Sequence, residues 1–190
     1  MCGRYFLELK ALMELEKCVD YEFERELLIA KDYYPGNEVP IIVSCDNRLD
    51  LKRAKWGFKT FDNKLVINAR SETLLEKVMF KNEVLNHRCI IPVSGFYEWD
   101  QHKHKFKFIN EKNRIMLLAG IYRVVENQIE MTIITTLANE SMKQIHQRMP
   151  LIITNEQMNS WLSKDNFKSI LRIKPQPIKI SSGVLQVSLF

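Results

Sequence analysis

The chain has 190 residues, 46% of them hydrophobic, with six Gly, six Pro and a formal net charge of +5. That composition suits a single domain with a hydrophobic core and excludes a disordered or low-complexity segment. The mild basic excess admits a polyanionic partner without demanding one, and no apolar run approaches the roughly 18 residues of a membrane-spanning helix.

The first residues carry no signal-peptide pattern, because Arg4, Glu8, Lys10 and Glu14 interrupt any apolar stretch. A cytoplasmic protein with no membrane contact is expected, nucleoid-associated when a nucleic acid is bound. Leu9, Leu12, Met13, Leu15 and Val19 have helical spacing, and a second helix is predicted over 21–30. Tyr34-Pro35-Gly36-Asn37 reads as a turn. Pro40–Ser44 and Leu49–Gly57 read as strands paired through a turn at Asp46-Asn47, and Leu65–Asn68 as extended chain after a turn at Asp62-Asn63.

Ser71 is placed as the N-cap of a helix running to His87, with Leu74, Leu75, Val78, Met79 and Leu85 on its apolar side. Strands follow at 88–93, 95–100, 105–109, 114–124 and 129–135. Asn139 is expected to cap a short helix to Ile145, Pro150–Ile153 to be a strand, and Thr154 to start a helix ending at Leu162. The tail over 174–179 reads as extended. The sum is a strand-rich α+β domain in which a curled antiparallel sheet carries peripheral helices.

None of Cys2, Cys18, Cys45 and Cys89 forms a C-x-x-C pair or has His at zinc-ligand spacing, so no metal and no organic cofactor are expected. Cys18, Cys45 and Cys89 read as small buried residues. His102-Lys103-His104 reads as a solvated hairpin tip.

Four segments break the core-and-surface rhythm. Removal of Met1 would leave Cys2 with both an α-amine and a thiol. An aldehyde meets the amine to give an imine, and the tethered thiol closes on that carbon as a five-membered thiazolidine. An α-amine titrates near 7.7–8.0, so roughly 10–20% is nucleophilic at neutral pH. The second segment is Trp56-Gly57-Phe58 with Ile67-Asn68-Ala69-Arg70-Ser71-Glu72, where Asn and Arg at a strand-to-helix junction can hold phosphate or sugar. In the third, around Phe96-Tyr97-Glu98-Trp99, period-two alternation puts Phe96 and Glu98 on one face, a carboxylate among aromatics. The fourth is Ile145-His146-Gln147-Arg148-Met149-Pro150, a His beside an Arg before a buried strand.

In order, MCGRY, WG, INARSET, RCIIPVSGFYEW and HQRMPLII span about residues 2–153 of the chain. With these motifs the sequence resembles the SOS response-associated peptidase family, the abasic site processing proteins. The resemblance implies one domain over 1–190, with a distorted antiparallel β-barrel-like core and helices around it. It implies covalent capture, by a monomer, of abasic sites in single-stranded DNA. Carried over by position, Cys2 is the nucleophile, Asn68 holds the sugar, Glu98 opens it to the aldehyde, and His146 assists proton transfer. Arg4, Arg70 and Arg148 would grip phosphates, and Trp56 and Phe96 would stack near the DNA. Self-removal of Met1 and weak strand cleavage by β-elimination accompany this reading. Two departures stand out: Gln147 replaces the family's Asp after the His, and Tyr34-Pro35-Gly36-Asn37 replaces its Tyr-Asn-x-x-Pro turn. The alternatives are a Cys-dependent peptidase, with Cys2, His146 and Glu98 as nucleophile, base and orienting group, and a non-covalent single-strand binding module.

Overall fold

In a computed structural model that describes residues 2–11, 13, 29–45, 48–110 and 115–181, strands dominate. In chain order they are β1 (Arg4–Leu7), β2 (Lys31–Tyr33), β3 (Glu38–Cys45), β4 (Arg48–Trp56), β5 (Phe58–Lys59), β6 (Leu65–Val66), β7 (Asn68–Arg70) and β8 (Arg88–Val93). There follow β9 (Gly95–Trp99), β10 (Lys105–Ile109), β11 (Met116–Val125), β12 (Gln128–Leu137), β13 (Arg148–Pro150), β14 (Ile152–Ile153) and β15 (Lys179–Ser181). Three helices lie wholly among the described residues: α1 (Val78–Asn86), α2 (Asn155–Leu162) and α3 (Phe167–Ile170).

Five strands close a barrel in the order β12-β4-β3-β8-β11 and back to β12. Four of its seams are antiparallel, but β12 meets β4 in parallel, with Met131 opposite Trp56. The strand β7 continues that parallel edge, with Asn68 opposite Ile133 and Arg70 opposite Thr135. A second sheet, β15-β10-β9-β1-β2, lies over the barrel.

The alternation along each strand explains this layering. On β8, Cys89, Ile91 and Val93 join Tyr5, Leu7, Phe96 and Phe108 in the core between barrel and second sheet. Ile90 faces the other way, into a core with Phe80, Val84, Trp161 and Phe167 from the helices. A strand buried on both faces reads as a continuous apolar run, as Arg88–Val93 does.

Arg88 is itself buried. Its guanidinium donates to the carbonyls of Val84 (2.7 Å), Leu85 (2.6 Å), Trp161 (2.8 Å), Leu162 (3.4 Å) and Ser163 (3.1 Å). One side chain thereby satisfies the orphan carbonyls that end both α1 and α2.

Several expectations need correction. The helix over 71–87 breaks: Ser71–Thr73 is a single 3-10 turn, Lys77 is extended, and α1 begins at Val78. Phe80 and Val84, four residues apart, form its buried stripe, and Val78 points to solvent. Asn139 holds a hydrogen-bonded turn rather than a helix, its Oδ1 accepting from Ser141 N (3.1 Å). The strand over 150–153 is split at Leu151, which bridges β11 and β12 by bonding Ala119 N and Ile134 O, both at 2.8 Å. Cys45 is exposed, not buried, while Cys89 is buried as expected. Cys18, most of the residues of the two early helices and the Asp46-Asn47 turn lie outside the described residues.

Candidate active site

The site is built at the entry to β1. Pairing of Tyr5 with Phe96 and of Arg4 with Tyr97 runs the chain's beginning antiparallel to β9, towards Glu98. Gly95, at the start of β9, allows that approach: a Cβ there would meet the Phe108 carbonyl and the Phe6 ring. Cys2 is 1% exposed, and Asn68 Nδ2 donates to its carbonyl at 3.0 Å. The Oδ1 of Asn68 is buried and has no hydrogen-bond partner among the described residues.

Asn68 is placed by its neighbours. Ile133 N (3.2 Å) and the indole Nε1 of Trp56 (3.1 Å) both donate to the carbonyl of Ile67. The Trp56 ring also packs on Tyr5, with centroids 5.1 Å apart. Trp56 therefore joins the strand that leaves Cys2 to the strand that begins at Asn68. The chain then turns at Gly57, whose φ of 120° is a left-handed value that favours glycine.

Glu98 is 4% exposed, on the inner face of β9 beside Phe96, and its Oε1 accepts from Trp99 N at 3.3 Å. Burial pushes the Cys2 thiol far above its ordinary pKa, and the Glu98 carboxylate pushes it further. The thiol is thus neutral in the resting site.

His146 precedes β13 and is half-buried. The main-chain N–H of Arg148 lies 2.9 Å from its Nδ1 and the Arg148 carbonyl 3.1 Å from the same nitrogen, so Nδ1 accepts in one tautomer and donates in the other. Both His146 and Asn68 lead into strands that flank β12, where Thr135 lies opposite Arg70 on one side and Pro150 on the other.

The three arginines differ. Arg4 is paired with Asp32, its Nε 3.0 Å from Oδ2, and its guanidinium lies over Tyr34 and Tyr97. Arg148 is paired with Glu72. Arg70 is exposed and has no ion-pair partner among the described residues.

The expected stacking of Trp56 and Phe96 is corrected: both are 0% exposed, and Phe96 is stacked on Phe108, so neither ring has a face to give a base. Sequence reasoning passed over Phe61, which is fully exposed at the tip of the β5–β6 hairpin. The signal was present, since an apolar ring directly before the Asp62-Asn63 turn has no core to enter. Among the described residues no group of His, Cys, Asp and Glu is arranged to hold a metal.

The geometry can be set beside known proteins. A family model described as SOS response associated peptidase matches residues 1–184. The abasic site processing protein YoqW of Bacillus subtilis (strain 168) is 32% identical over 183 residues, covering 87% of this chain and 82% of that protein. The abasic site processing protein YedK of Escherichia coli (strain K12) is 26% identical over 182 residues, covering 87% and 81%. Among solved structures, a protein of Bordetella bronchiseptica superposes with a TM-score of 0.77 at 20% identity, covering 95% of this chain and 98% of that one, a likeness of fold.

Proposed function

The chain belongs to the SOS response associated peptidase family, and from that membership we propose that it processes abasic sites by covalent capture in single-stranded DNA. The observation that carries the reading is the convergence of Cys2, Asn68 and Glu98 in one buried corner.

Removal of Met1 frees the Cys2 amine. Glu98 then takes the hydroxyl proton of the closed abasic sugar and returns one to the ring oxygen, opening it to the aldehyde. The amine adds to the aldehyde carbon and water leaves as the imine forms. The Cys2 sulfur then bonds to the imine carbon, and the thiol proton passes to the ring nitrogen. The balance is one water lost. Asn68 fixes the Cys2 backbone, and its buried Oδ1 is an acceptor for a sugar hydroxyl or the amine. His146 assists the proton transfer to the departing water. Arg70 offers a charge to a flanking phosphate, and Phe61 offers a face to a base.

Burial of the Cys2 thiol beside Glu98 favours this reading over a peptidase acting on other proteins. A peptidase needs a thiolate before substrate arrives, whereas ring closure needs the sulfur only after the amine has made a strong electrophile. Self-removal of Met1 and β-elimination at the imine remain side activities of the same corner.

The test is intact mass after mixing the protein with an oligonucleotide bearing one abasic site. The expected species lacks Met1, gains the oligonucleotide mass less one water, and survives denaturation. Absence of an adduct from protein lacking Met1, or full yield from Cys2→Ala, overturns the reading.

A further inference from the structure

Arg148 closes a two-pronged ion pair on Glu72: Nη1 donates to Oε1 and Nη2 to Oε2, both at 2.9 Å. Nη2 also donates to the Thr135 carbonyl at 2.7 Å. A carboxylate therefore fills the planar fork that would otherwise match two oxygens of a phosphate.

The two partners are not equally free to leave. The Arg148 side chain is 12% exposed and anchored to β12 through Thr135, while that of Glu72 is 42% exposed. The pair opens when Glu72 swings into water and Arg148 stays. Glu72 sits in the 3-10 turn directly after exposed Arg70, so opening would leave two cations beside the strand that begins at Asn68. Partial burial opposes ionisation of Glu72, but Arg148 outweighs it and holds the carboxyl below its usual range. The competing charge is present at neutral pH.

Resting on the single-strand reading above, we propose that Glu72 is a specificity-determining residue, an internal carboxylate that occupies the Arg148 fork and yields it to a backbone phosphate when DNA binds. Undamaged strands must displace Glu72 for a contact they hold only transiently. A strand with an abasic site makes the same exchange and is then retained by the covalent bond. Glu72 thus suppresses idle binding more than capture.

The experiment is fluorescence anisotropy with a dye-labelled, undamaged single-stranded oligonucleotide, comparing the unaltered protein with Glu72→Gln across a salt series. Glu72→Gln is expected to bind more tightly at low salt, by up to about fivefold, because only the unaltered protein must open the Glu72–Arg148 pair, and the advantage should shrink as salt screens that pair. In an Arg148→Gln background the Glu72 substitution is expected to change nothing. Glu72→Asp keeps the charge but shortens its reach, and should tighten low-salt binding in the same direction, which keeps the test open if Glu72→Gln does not fold.

Equal or weaker binding by Glu72→Gln at low salt overturns the proposal and makes the pair a structural clamp. A gain that persists without Arg148 also overturns it, as a general charge effect. Failure of the unaltered protein to bind single strands overturns the single-strand reading, and this proposal with it.

Discussion

Replacing Trp56 with Phe tests whether this residue positions the site or touches DNA. The substitution removes the indole N–H that donates to Ile67 at 3.1 Å. The Ile67 carbonyl keeps its bond from Ile133 N, so the loss is about 1 kcal/mol rather than the penalty of an orphaned acceptor. The space vacated in a closely packed core adds about 1 kcal/mol. Together these lower the thermal midpoint by roughly 4–8 °C for a chain of this size. Binding of single-stranded DNA should stay within about twofold, because Trp56 presents no surface. The rate of crosslinking at saturating abasic DNA should fall by on the order of tenfold, as Asn68 loses a support and a misplaced reacting group can cost up to about 10²-fold. Gel-resolved single-turnover capture beside anisotropy separates the two quantities. An affinity loss beyond tenfold with an unchanged capture rate would be the signature of a stacking ring, worth about 1–3 kcal/mol per base. That result would refute the positioning argument.

Other predictions concern stability and contact with DNA. Arg88→Met removes the donor shared by carbonyls at the ends of α1 and α2. It should cost about 3–5 kcal/mol in urea unfolding, and a loss below 1 kcal/mol would show that water replaces the guanidinium there. Burial raises the Cys2 and Cys89 thiols above their ordinary value of 9.0. The unfolded chain therefore releases these protons first as pH rises past about 9, so stability is complete below that pH. Above it, stability falls by roughly 1.4 kcal/mol per pH unit for each thiol; urea midpoints at pH 8 and 10 in Cys89→Ala should show one thiol's share gone. Phe61→Ala should weaken single-strand binding by about 1–3 kcal/mol without moving the thermal midpoint, since its ring buries nothing.

The strands were legible because their alternation and turn residues are local. Arg88–Val93 declared itself by being apolar at every position after Arg88, which only a doubly covered strand tolerates. What local pattern could not supply was the closure. The parallel seam of β12 against β4 and β7 joins residues more than 60 positions apart, and nothing in either strand announces its partner. The break at Lys77 was hidden for a related reason. Leu74, Leu75, Val78 and Met79 fit helical spacing, but Leu74 and Phe80 enter one core from the 3-10 turn and from α1, and the extended Lys77 between them resets the phase.

The motifs located the corner but not the division of labour inside it. Residue type alone could not show that Trp56 faces inward onto Tyr5 or that Arg4 is already matched by Asp32.

The protonation state of Cys2 links this packing to the chemistry. Covering the thiol with Tyr5, Trp56 and the second sheet costs its acidity, and Glu98 adds to that cost. For a hydrolase acting by thiolate attack such a site would be poorly made. For aldehyde capture the same features help. A neutral thiol neither oxidises readily nor competes for the aldehyde before the amine has reacted, and a buried carboxylate beside it can take up and return the protons that ring opening and water loss require. In the proposed capture the group that keeps the resting thiol quiet also serves the reaction, so substituting Glu98 should act in two directions. Glu98→Gln would make Cys2 more acidic and more easily oxidised while slowing capture. Parallel iodoacetamide labelling and crosslinking rates measure both, and a variant that slowed labelling as well as capture would break the link between them.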